Sequence, residues 1–533
     1  MSHWRMIGAA PAGAALVVLS FAPTNIGPAV LFAWTPLLAL APKLTWRQRL
    51  VAGWLMGTLY QAGLFRWIPF TTREMSGLPL AAGLGALLGF ALWHGLMSGV
   101  SLALCEPARR SAERIRPGLG LLGIAVVFTA VEWAWPILFP WALGHALWQI
   151  PQIASLLAWT GTPGLSCLAV LSSACLAHMV LTRHWRGAGY GLTGIALLVG
   201  LAGGWWWHVE STPVRRTLNV GVLQMNYTLE EKKRANLATR QKLFKRLTKT
   251  LATMPPGAVD LLVGSEGAFP LYWDVTAIDD SALDRPGVSS STRATRTVAN
   301  LVVAGPRTHA ILGGLRLPQG EKIRNSAVHI YPDGVLGDHY DKQVLVPFGE
   351  YLPGASTFPS LKGKIRGISD MGAGDRPCRF EAAEEVVACG ICYESIFADL
   401  TRREAEDASL LVNLTIDVWF GEGIAPWFHL MSQASRAVEL GVPLVRAALT
   451  GISTVVGVDG QPIDILGVGE TGVLEVEVPL RDLTTPYRQV GPLFGWLCLG
   501  GSVGLLALHR RREENQEEIG EPLPDEGNKS SPT

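Results

Sequence analysis

The sequence predicts a multi-span α-helical membrane bundle with eight spans, joined to a separate α/β domain outside the cytoplasm. Three observations predict it. The 533 residues are 49% hydrophobic and only 17% charged, too apolar for an ordinary soluble chain and enough for two domains. Apolar stretches of spanning length, roughly 20 residues for about 30 Å of hydrocarbon, fall near 6–22, 26–42, 50–65, 79–104, 118–136, 153–182 and 190–207, with an eighth near 490–508. Between the seventh and the eighth, from about Thr217, long apolar blocks give way to short ones edged by turn residues.

The first stretch also has the look of a secretory signal, because Arg5 precedes a short apolar run containing small residues. Six further spans follow it directly, which favours an uncleaved helix. Orientation follows from basic residues in the short loops. With the N-terminus in the cytoplasm, the inside segments carry Arg5, Lys43, Arg47, Arg49, Arg109, Arg110, Arg114, Arg116, Arg183, Arg186, Arg510, Arg511 and Arg512. The short outside loops carry only Arg66 and Arg73. This asymmetry puts both termini in the cytoplasm and the polar region outside it. The expected domains are a seven-span part, 1–210; an extracytoplasmic domain, 211–487; the eighth span, 488–509; and a disordered cytoplasmic tail, 510–533, rich in Glu, Pro, Asn and Ser.

The polar region alternates strand-like and helix-like patterns. Leu218–Gln224, Asp260–Gly264, Asn300–Ala304, Ala310–Leu315, Ser326–Tyr331, Val386–Cys392, Ser409–Leu414, Pro443–Ala448, Ser453–Val458 and Gly472–Val478 are short and rich in β-branched residues. Residues 229–252 and 426–440 have helical spacing, the second ending at Gly441. Apolar strands alternating with helices imply sheets covered by helices.

Composition narrows the function. A net charge of +1, with no basic cluster interleaved with aromatics, points away from nucleic acid. Several of the nineteen tryptophans sit near span ends, Trp141 and Trp205-Trp206-Trp207 among them, as an interfacial belt does. Glu132 lies within the fifth span, where a carboxylate is costly unless paired or facing a cavity. It reads either as a functional group or as a structural hydrogen-bond partner of another helix, with His94 in span four as a candidate.

The chemistry is carried by three residues that end or flank apolar runs. Cys392 closes Val386–Cys392, Glu266 follows Leu261-Leu262-Val263-Gly264-Ser265, and Lys342 precedes Gln343-Val344-Leu345-Val346-Pro347-Phe348-Gly349-Glu350. A cysteine attacking a carbonyl needs a base for its proton, a donor for the oxyanion and an acid for the leaving group. A carboxylate with a raised pKa can be both base and acid, and an ammonium can hold the developing negative charge. Taken singly, such residues are usually surface or core. Cys389 and Cys392 also form a Cys-x-x-Cys pair, which suggests a redox dithiol, but Cys389 falls within the strand run. A structural Cys378–Cys389 disulfide stays open as well. No His or Cys cluster has metal-ligand spacing.

The flanking residues add a resemblance. Tyr340-x-Lys342-x-x-Leu345-Val346-Pro347-Phe348-Gly349-Glu350 with Gly390-x-Cys392-Tyr393-Glu394 resembles the apolipoprotein N-acyltransferases, the membrane-bound branch of the nitrilase or carbon-nitrogen hydrolase superfamily. Glu132-Trp133, Phe139-Pro140-Trp141, Gly161-x-x-Gly164, Trp419-Phe420-Gly421, Pro426-Trp427, His429 and Arg436-Ala437-x-Glu439 fit it too, so that it covers nearly the whole chain. The resemblance implies a nitrilase-like α-β-β-α sandwich with Glu266 as general base, Lys342 as oxyanion and positioning residue, and Cys392 as nucleophile. It implies that Glu350, Tyr393 and Glu394 bind substrate or shape the site. It further implies a phospholipid acyl donor, a diacylglyceryl apolipoprotein acceptor, no metal or organic cofactor, and a monomer in the bacterial inner membrane with a periplasmic catalytic domain. Three positions depart from the family's pattern: Gly264-Ser265 replace Trp-Pro, Ile416 replaces Asn, and Lys233 replaces a tryptophan. A membrane-tethered amidase using the same three residues, and a non-catalytic lipid-binding or transport protein, are the competing expectations.

Overall fold

A computed structural model describes residues 2–234, 236–275, 289–354, 369–421 and 423–519. The chain clusters into two compact units. One takes the residues up to Ile68, Leu84–His208 and those from Gln489 on. The other takes Pro69–Gly83 and Val209–Arg488.

The first unit is helical. Among the described residues, Leu80–Ile115, Thr162–Thr182, Arg186–Ser211 and Leu493–Asn515 are long and apolar enough to cross a membrane, and Gly8–Leu19 and Gly120–Ala134 are shorter apolar helices. Trp46–Leu64 is a further helix, opened by a Thr45–Gln48 capping box. The expected span 26–42 is not one continuous helix. Pro28, Pro36 and Pro42 divide it into Gly27–Phe32, Thr35–Leu40 and Ala41–Lys43, since proline starts a helical turn far more readily than it sits inside one. Likewise 153–182 is not one continuous helix: the short helices Pro151–Ala154 and Leu157–Thr160 come first, and the long helix Thr162–Thr182 begins after Gly161 at φ +63°.

Glu132 is buried and does not pair with His94. Its Oε1 accepts the Leu143 amide at 2.9 Å, at the start of the 3₁₀ turn Leu143–Leu147, and the Ser166 hydroxyl is a second partner. The His94 ring packs on Phe90 with centroids 4.1 Å apart. At the other end of the chain, the last helix runs on through 510–519, which the sequence assigned to a disordered tail. The Arg510–Glu514 ion pair and the His509–Glu513 contact, each one turn apart, favour its continuation; the rest of the expected tail, 520–533, lies outside the described residues.

The second unit contains two sheets. The first is built from β1 (Arg216–Gln224), β2 (Leu261–Gly264), β3 (Phe269–Trp273), β4 (His309–Arg316), β5 (Arg324–Ile330) and β6 (Leu336–Asp341), together with the last strand, β13 (Gly472–Leu480); the second begins with β7 (Phe380–Ala382) and β8 (Glu385–Ile391). Then come β9 (Leu410–Thr415), β10 (Leu444–Ala448), β11 (Ser453–Val456) and β12 (Pro462–Leu466). The order is β13-β1-β2-β4-β5-β6 in the first sheet, with β3 beside β4, and β12-β11-β10-β9-β8-β7 in the second. The central pairings β1–β2, β2–β4, β8–β9 and β9–β10 are parallel.

Facing side chains of the two sheets form one core, with Val220, Val263 and Ile311 from one meeting Val387, Val412 and Val445 from the other. On the outer face of the first sheet, Leu243, Leu247 and Leu251 of helix Leu237–Thr253 and Val298 and Val302 of helix Ser290–Ala304 close a second core. Helix Ala425–Leu440, ended by Gly441 at φ +67°, is buried nearly throughout and packs on the second sheet. The domain is therefore the expected helix-sheet-sheet-helix sandwich. Asn300–Ala304, expected as a strand, is the last turn of a helix, because an apolar run this short fits either period.

Candidate active site

The ends of three strands converge. Glu266 lies two residues beyond β2, Lys342 directly follows β6, and Cys392 directly follows β8. Cys392 opens a 3₁₀ turn at φ +56°, a conformation that costs a non-glycine residue energy and recurs at functional sites. All three side chains are buried, Lys342 to 1% exposure.

Their polar atoms meet. Lys342 Nζ is 2.9 Å from Glu350 and 4.0 Å from Glu266 Oε1, while the Glu266 carboxyl interacts with the Cys392 thiol. Glu266 Oε1 accepts a 2.6 Å hydrogen bond from Asn325, whose amide also donates to Glu350 at 3.1 Å. Burial raises the pKa of Glu266, with Lys342 opposing and Glu350 reinforcing the shift. Burial also pushes the Cys392 thiol up to about 12, and the Glu266 charge adds to this, against Lys342 and the Thr415 hydroxyl. For Lys342, burial works against the ammonium, but Glu350 and Glu266 outweigh it and hold the pKa above lysine's ordinary value. The pocket thus stores the thiol protonated beside a basic carboxylate, with a fixed cation next to both.

Glu394 holds the frame. One oxygen accepts the Tyr340 hydroxyl at 3.0 Å and the amides of Gln343 and Val344 at 2.6 and 3.0 Å. The other accepts the Ile391 amide at 2.7 Å. One buried carboxylate so joins the Lys342 segment to the turn carrying Cys392. Glu350 similarly accepts the Val346 amide at 2.8 Å. The Tyr393 ring packs edge-on against Phe397, with centroids 4.9 Å apart.

Other residues at the site gave no isolated signal in the sequence. Asn325 is one. Behind Cys392, its carbonyl meets the Asn413 amide at 3.3 Å and His429 Nε2 at 3.3 Å. His429 Nδ1 stands 3.0 Å from Asp417, which is paired with Arg446 at 2.8 Å. Burial disfavours the Asp417 charge, but Arg446 and His429 outweigh it and bring the pKa down to about 2. Lys232 is another: its Nζ lies 2.7 Å from where a Cβ on Gly267 would stand and 5.7 Å from the Tyr227 ring centre. Burial pulls its pKa down to about 8, partly offset by the nearby Glu266. Among the described residues, no group of three or more His, Cys, Asp or Glu side chains is placed to hold a metal ion.

With this geometry in view, the comparisons are consistent along the chain. Residues 219–488 match the carbon-nitrogen hydrolase family, and residues 13–175 match the apolipoprotein N-acyltransferase N-terminal domain. A Geobacter metallireducens apolipoprotein N-acyltransferase is 30% identical over 93% of this chain and 94% of its own length. The chain belongs to the apolipoprotein N-acyltransferase family. A Bdellovibrio bacteriovorus apolipoprotein N-acyltransferase is 28% identical over 91% of both chains. Among solved structures, an amidase of the nitrilase superfamily from Nesterenkonia is 20% identical, with a TM-score of 0.36 over 52% of this chain and 95% of that one.

The three departures from the expected apolipoprotein N-acyltransferase pattern have visible surroundings, and Ile416 packs against the outer core of the first sheet beside Gly267. Lys233, in place of a tryptophan, forms an ion pair with Glu74. Glu74 sits on helix Ile68–Ser76, whose Thr71 also donates to the Trp419 carbonyl at 3.0 Å. Gly264, in place of Trp, leaves room for the Leu312 side chain, 2.6 Å from where a Cβ would stand.

Proposed function

We propose that this enzyme transfers an acyl chain from the sn-1 position of a membrane phospholipid, typically phosphatidylethanolamine, to the α-amine of the S-diacylglyceryl cysteine of an apolipoprotein. The observation that carries this reading is the buried convergence of Glu266, Lys342 and Cys392 in a chain of this family.

In the first half-reaction Glu266 takes the Cys392 proton and the thiolate attacks the ester carbonyl, forming a C–S bond. Lys342 faces the oxyanion in a site where water does not screen its charge. The tetrahedral adduct collapses, the C–O bond breaks, and Glu266 returns its proton to the departing lysophospholipid alkoxide. In the second half the lipoprotein amine attacks the thioester carbon and Glu266 accepts the amine's proton. The C–N bond forms, the C–S bond breaks, and the proton passes to the Cys392 thiolate. No step calls for a metal or an organic cofactor.

Charge balance supports a role for Lys232. Lys342 is shared by two carboxylates, so Glu266, Glu350 and Lys342 together carry a net −1 when ionised. With the neutral Cys392 thiol counted in, the total is still −1; moving its proton to Glu266 leaves that total unchanged, and a second ammonium beside Glu266 brings it to zero. We assign Lys232 to that position. Glu350 and Asn325 position Lys342 and Glu266. Glu394 holds the two active-site segments in register, and Tyr393 shapes the substrate side.

The membrane arrangement belongs to the same reading: eight spans, both termini cytoplasmic, and residues 211–487 periplasmic, with the enzyme acting as a monomer embedded in the inner membrane. In it the second span is the broken run 26–42, tolerable where helix breaks are buried among other helices; Val30, Leu37 and Leu38 are buried. Both substrates are lipid-anchored, which gives the spans a purpose beyond tethering. A tethered amidase would send the acyl group to water instead. The acyl-enzyme formed from labelled phospholipid separates the two: a diacylglyceryl lipopeptide should discharge it faster than water does, and equal rates with and without lipopeptide would favour the amidase.

A further inference from the structure

The strand pair next to the nucleophile contains a second feature, which the transfer reaction leaves unused. β7 and β8 form a hairpin whose two turn residues, Ala383 and Glu384, both have positive φ, at +52° and +63°. This backbone matches the twist of a two-residue hairpin and fixes its register. The partners are Ala382 with Glu385, Glu381 with Val386 and Phe380 with Val387. Carried two residues further, the same register sets Cys378 opposite Cys389.

Directly opposed residues of an antiparallel pair have Cα atoms roughly 4.5–5.5 Å apart, inside the roughly 4.4–6.8 Å that a disulfide bridges. The Cys378 thiol meets both the side chain and the backbone of Cys389. Both residues are buried, at 3% and 1% exposure. Cys389 faces a small cavity with Tyr340, Glu394, Glu404 and Arg436, whereas the Cys392 thiol meets Glu266 and Thr415. The Cys-x-x-Cys spacing therefore joins two thiols with different surroundings, and the matched pair is the one across the hairpin.

We propose that Cys378 and Cys389 form a disulfide in the mature enzyme, leaving Cys392 as the sole free thiol of the domain. The proposal rests on the extracytoplasmic placement of residues 211–487, because disulfides persist in oxidising compartments. A protein disulfide acting as oxidant supplies the chemistry by exchange. One thiolate attacks the oxidant's disulfide to give a mixed disulfide, and the second thiolate displaces the oxidant. Two S–H bonds are replaced by one S–S bond, and two electrons and two protons reduce the oxidant to a dithiol. Burial of both sulfurs places this step during folding, before the hairpin closes.

The bond would clamp an edge strand of the second sheet. The Cys378 amide donates to Glu404, and Glu404 accepts the Gln343 side chain at 2.8 Å, next to Lys342. The clamp therefore lies between the two segments that Glu394 also joins. It also withdraws Cys389, three residues from the nucleophile, from any exchange with Cys392.

Thiol counting on the full-length protein tests this without a variant. The enzyme, acid-quenched in its membranes and denatured in N-ethylmaleimide, should show five of its seven cysteines alkylated, since the pair removes two. All seven should react after reduction, and a cross-linked Cys378–Cys389 peptide should appear in the unreduced digest. If all seven react without reductant, diamide treatment of the folded protein separates the causes. Closure of Cys378–Cys389 by diamide would uphold the pairing and overturn the placement in an oxidising compartment. No closure, or closure of Cys389 with Cys392, would overturn the pairing itself.

Discussion

Glu350 lies 2.9 Å from Lys342, a closer contact than the 4.0 Å between Lys342 and Glu266. The lysine's direct ion pair is thus with a residue outside the reacting set, and Glu266 keeps the freedom to accept and release a proton. Removing Glu350 would leave a buried ammonium with Glu266, the proposed base, as its nearest remaining carboxylate. Loss of one member of a buried pair costs about 3–5 kcal/mol. Glu350→Ala should therefore lower the melting temperature, and it should slow single-turnover thioester formation. Glu350→Gln, which keeps the hydrogen bonds and removes the charge, should recover stability more than rate. The checks are thermal unfolding in detergent and acylation from labelled phospholipid.

With Glu266 as the proposed base, the acid limb of the acylation rate should report its titration. The base must be ionised to take the thiol proton, and burial raises its pKa, so the rate should fall as pH drops through a value above that of an ordinary glutamate, near 4.3. Lys232→Met removes a cation that favours the ionised form, and the limb should move to higher pH; Lys232→Arg should hold it in place. An acid limb at the same pH in wild type and Lys232→Met would show that Lys232 does not act on Glu266. Single-turnover rates across pH decide this.

Glu394 accepts four donors with its two oxygens. A glutamine there has one acceptor oxygen, and its amide would confront either the Ile391 amide or the Gln343 and Val344 amides. An unsatisfied buried donor costs about 1–3 kcal/mol, which in a domain of this size is a few degrees in melting temperature. Glu394→Gln should show that loss together with slower thioester formation, although Glu394 touches no reacting atom.

Asp417 links stability to pH. Its folded pKa is depressed to about 2, because Arg446 and His429 outweigh burial, against about 3.9 unfolded. The ionised form is the one the fold favours, so its contribution is complete above about pH 4 and is lost as pH falls toward 2. Asp417→Asn should lower stability at neutral pH and flatten the pH dependence in that window, as measured by unfolding at pH 2 to 6.

Much of this arrangement was legible in the sequence, for physical reasons. Glu266, Lys342 and Cys392 each end or flank a strand, and strand ends are where an α/β sandwich presents side chains to a site. The apolar β-branched runs revealed most of the parallel strands, which are buried on both faces. What local pattern could not supply was anything set by tertiary pairing. Asn325 lies in a strand and becomes part of the site only because β5 runs beside β6. Lys232, on a short charged helix, reads as solvated surface until Gly267 is found beneath it. Glu132 was legible as an unusual buried charge, but its partners, the Leu143 amide and the Ser166 hydroxyl, are ones that no sequence pattern marks. The segment Pro69–Gly83 clusters with the second unit although it lies among the apolar stretches, and the Glu74–Lys233 ion pair that helps bind it joins residues 159 positions apart.

In the proposed mechanism Cys392 carries the acyl group as a thioester. The direct measurement is incubation of the purified enzyme with phospholipid labelled in its sn-1 chain, followed by hydroxylamine treatment and peptide mapping. The wild-type enzyme should acquire a hydroxylamine-sensitive label on the Cys392 peptide and Cys392→Ala none, with the variant folded and inserted as before. A folded Cys392→Ala enzyme that still acquires the label would rule out Cys392 as the acyl carrier.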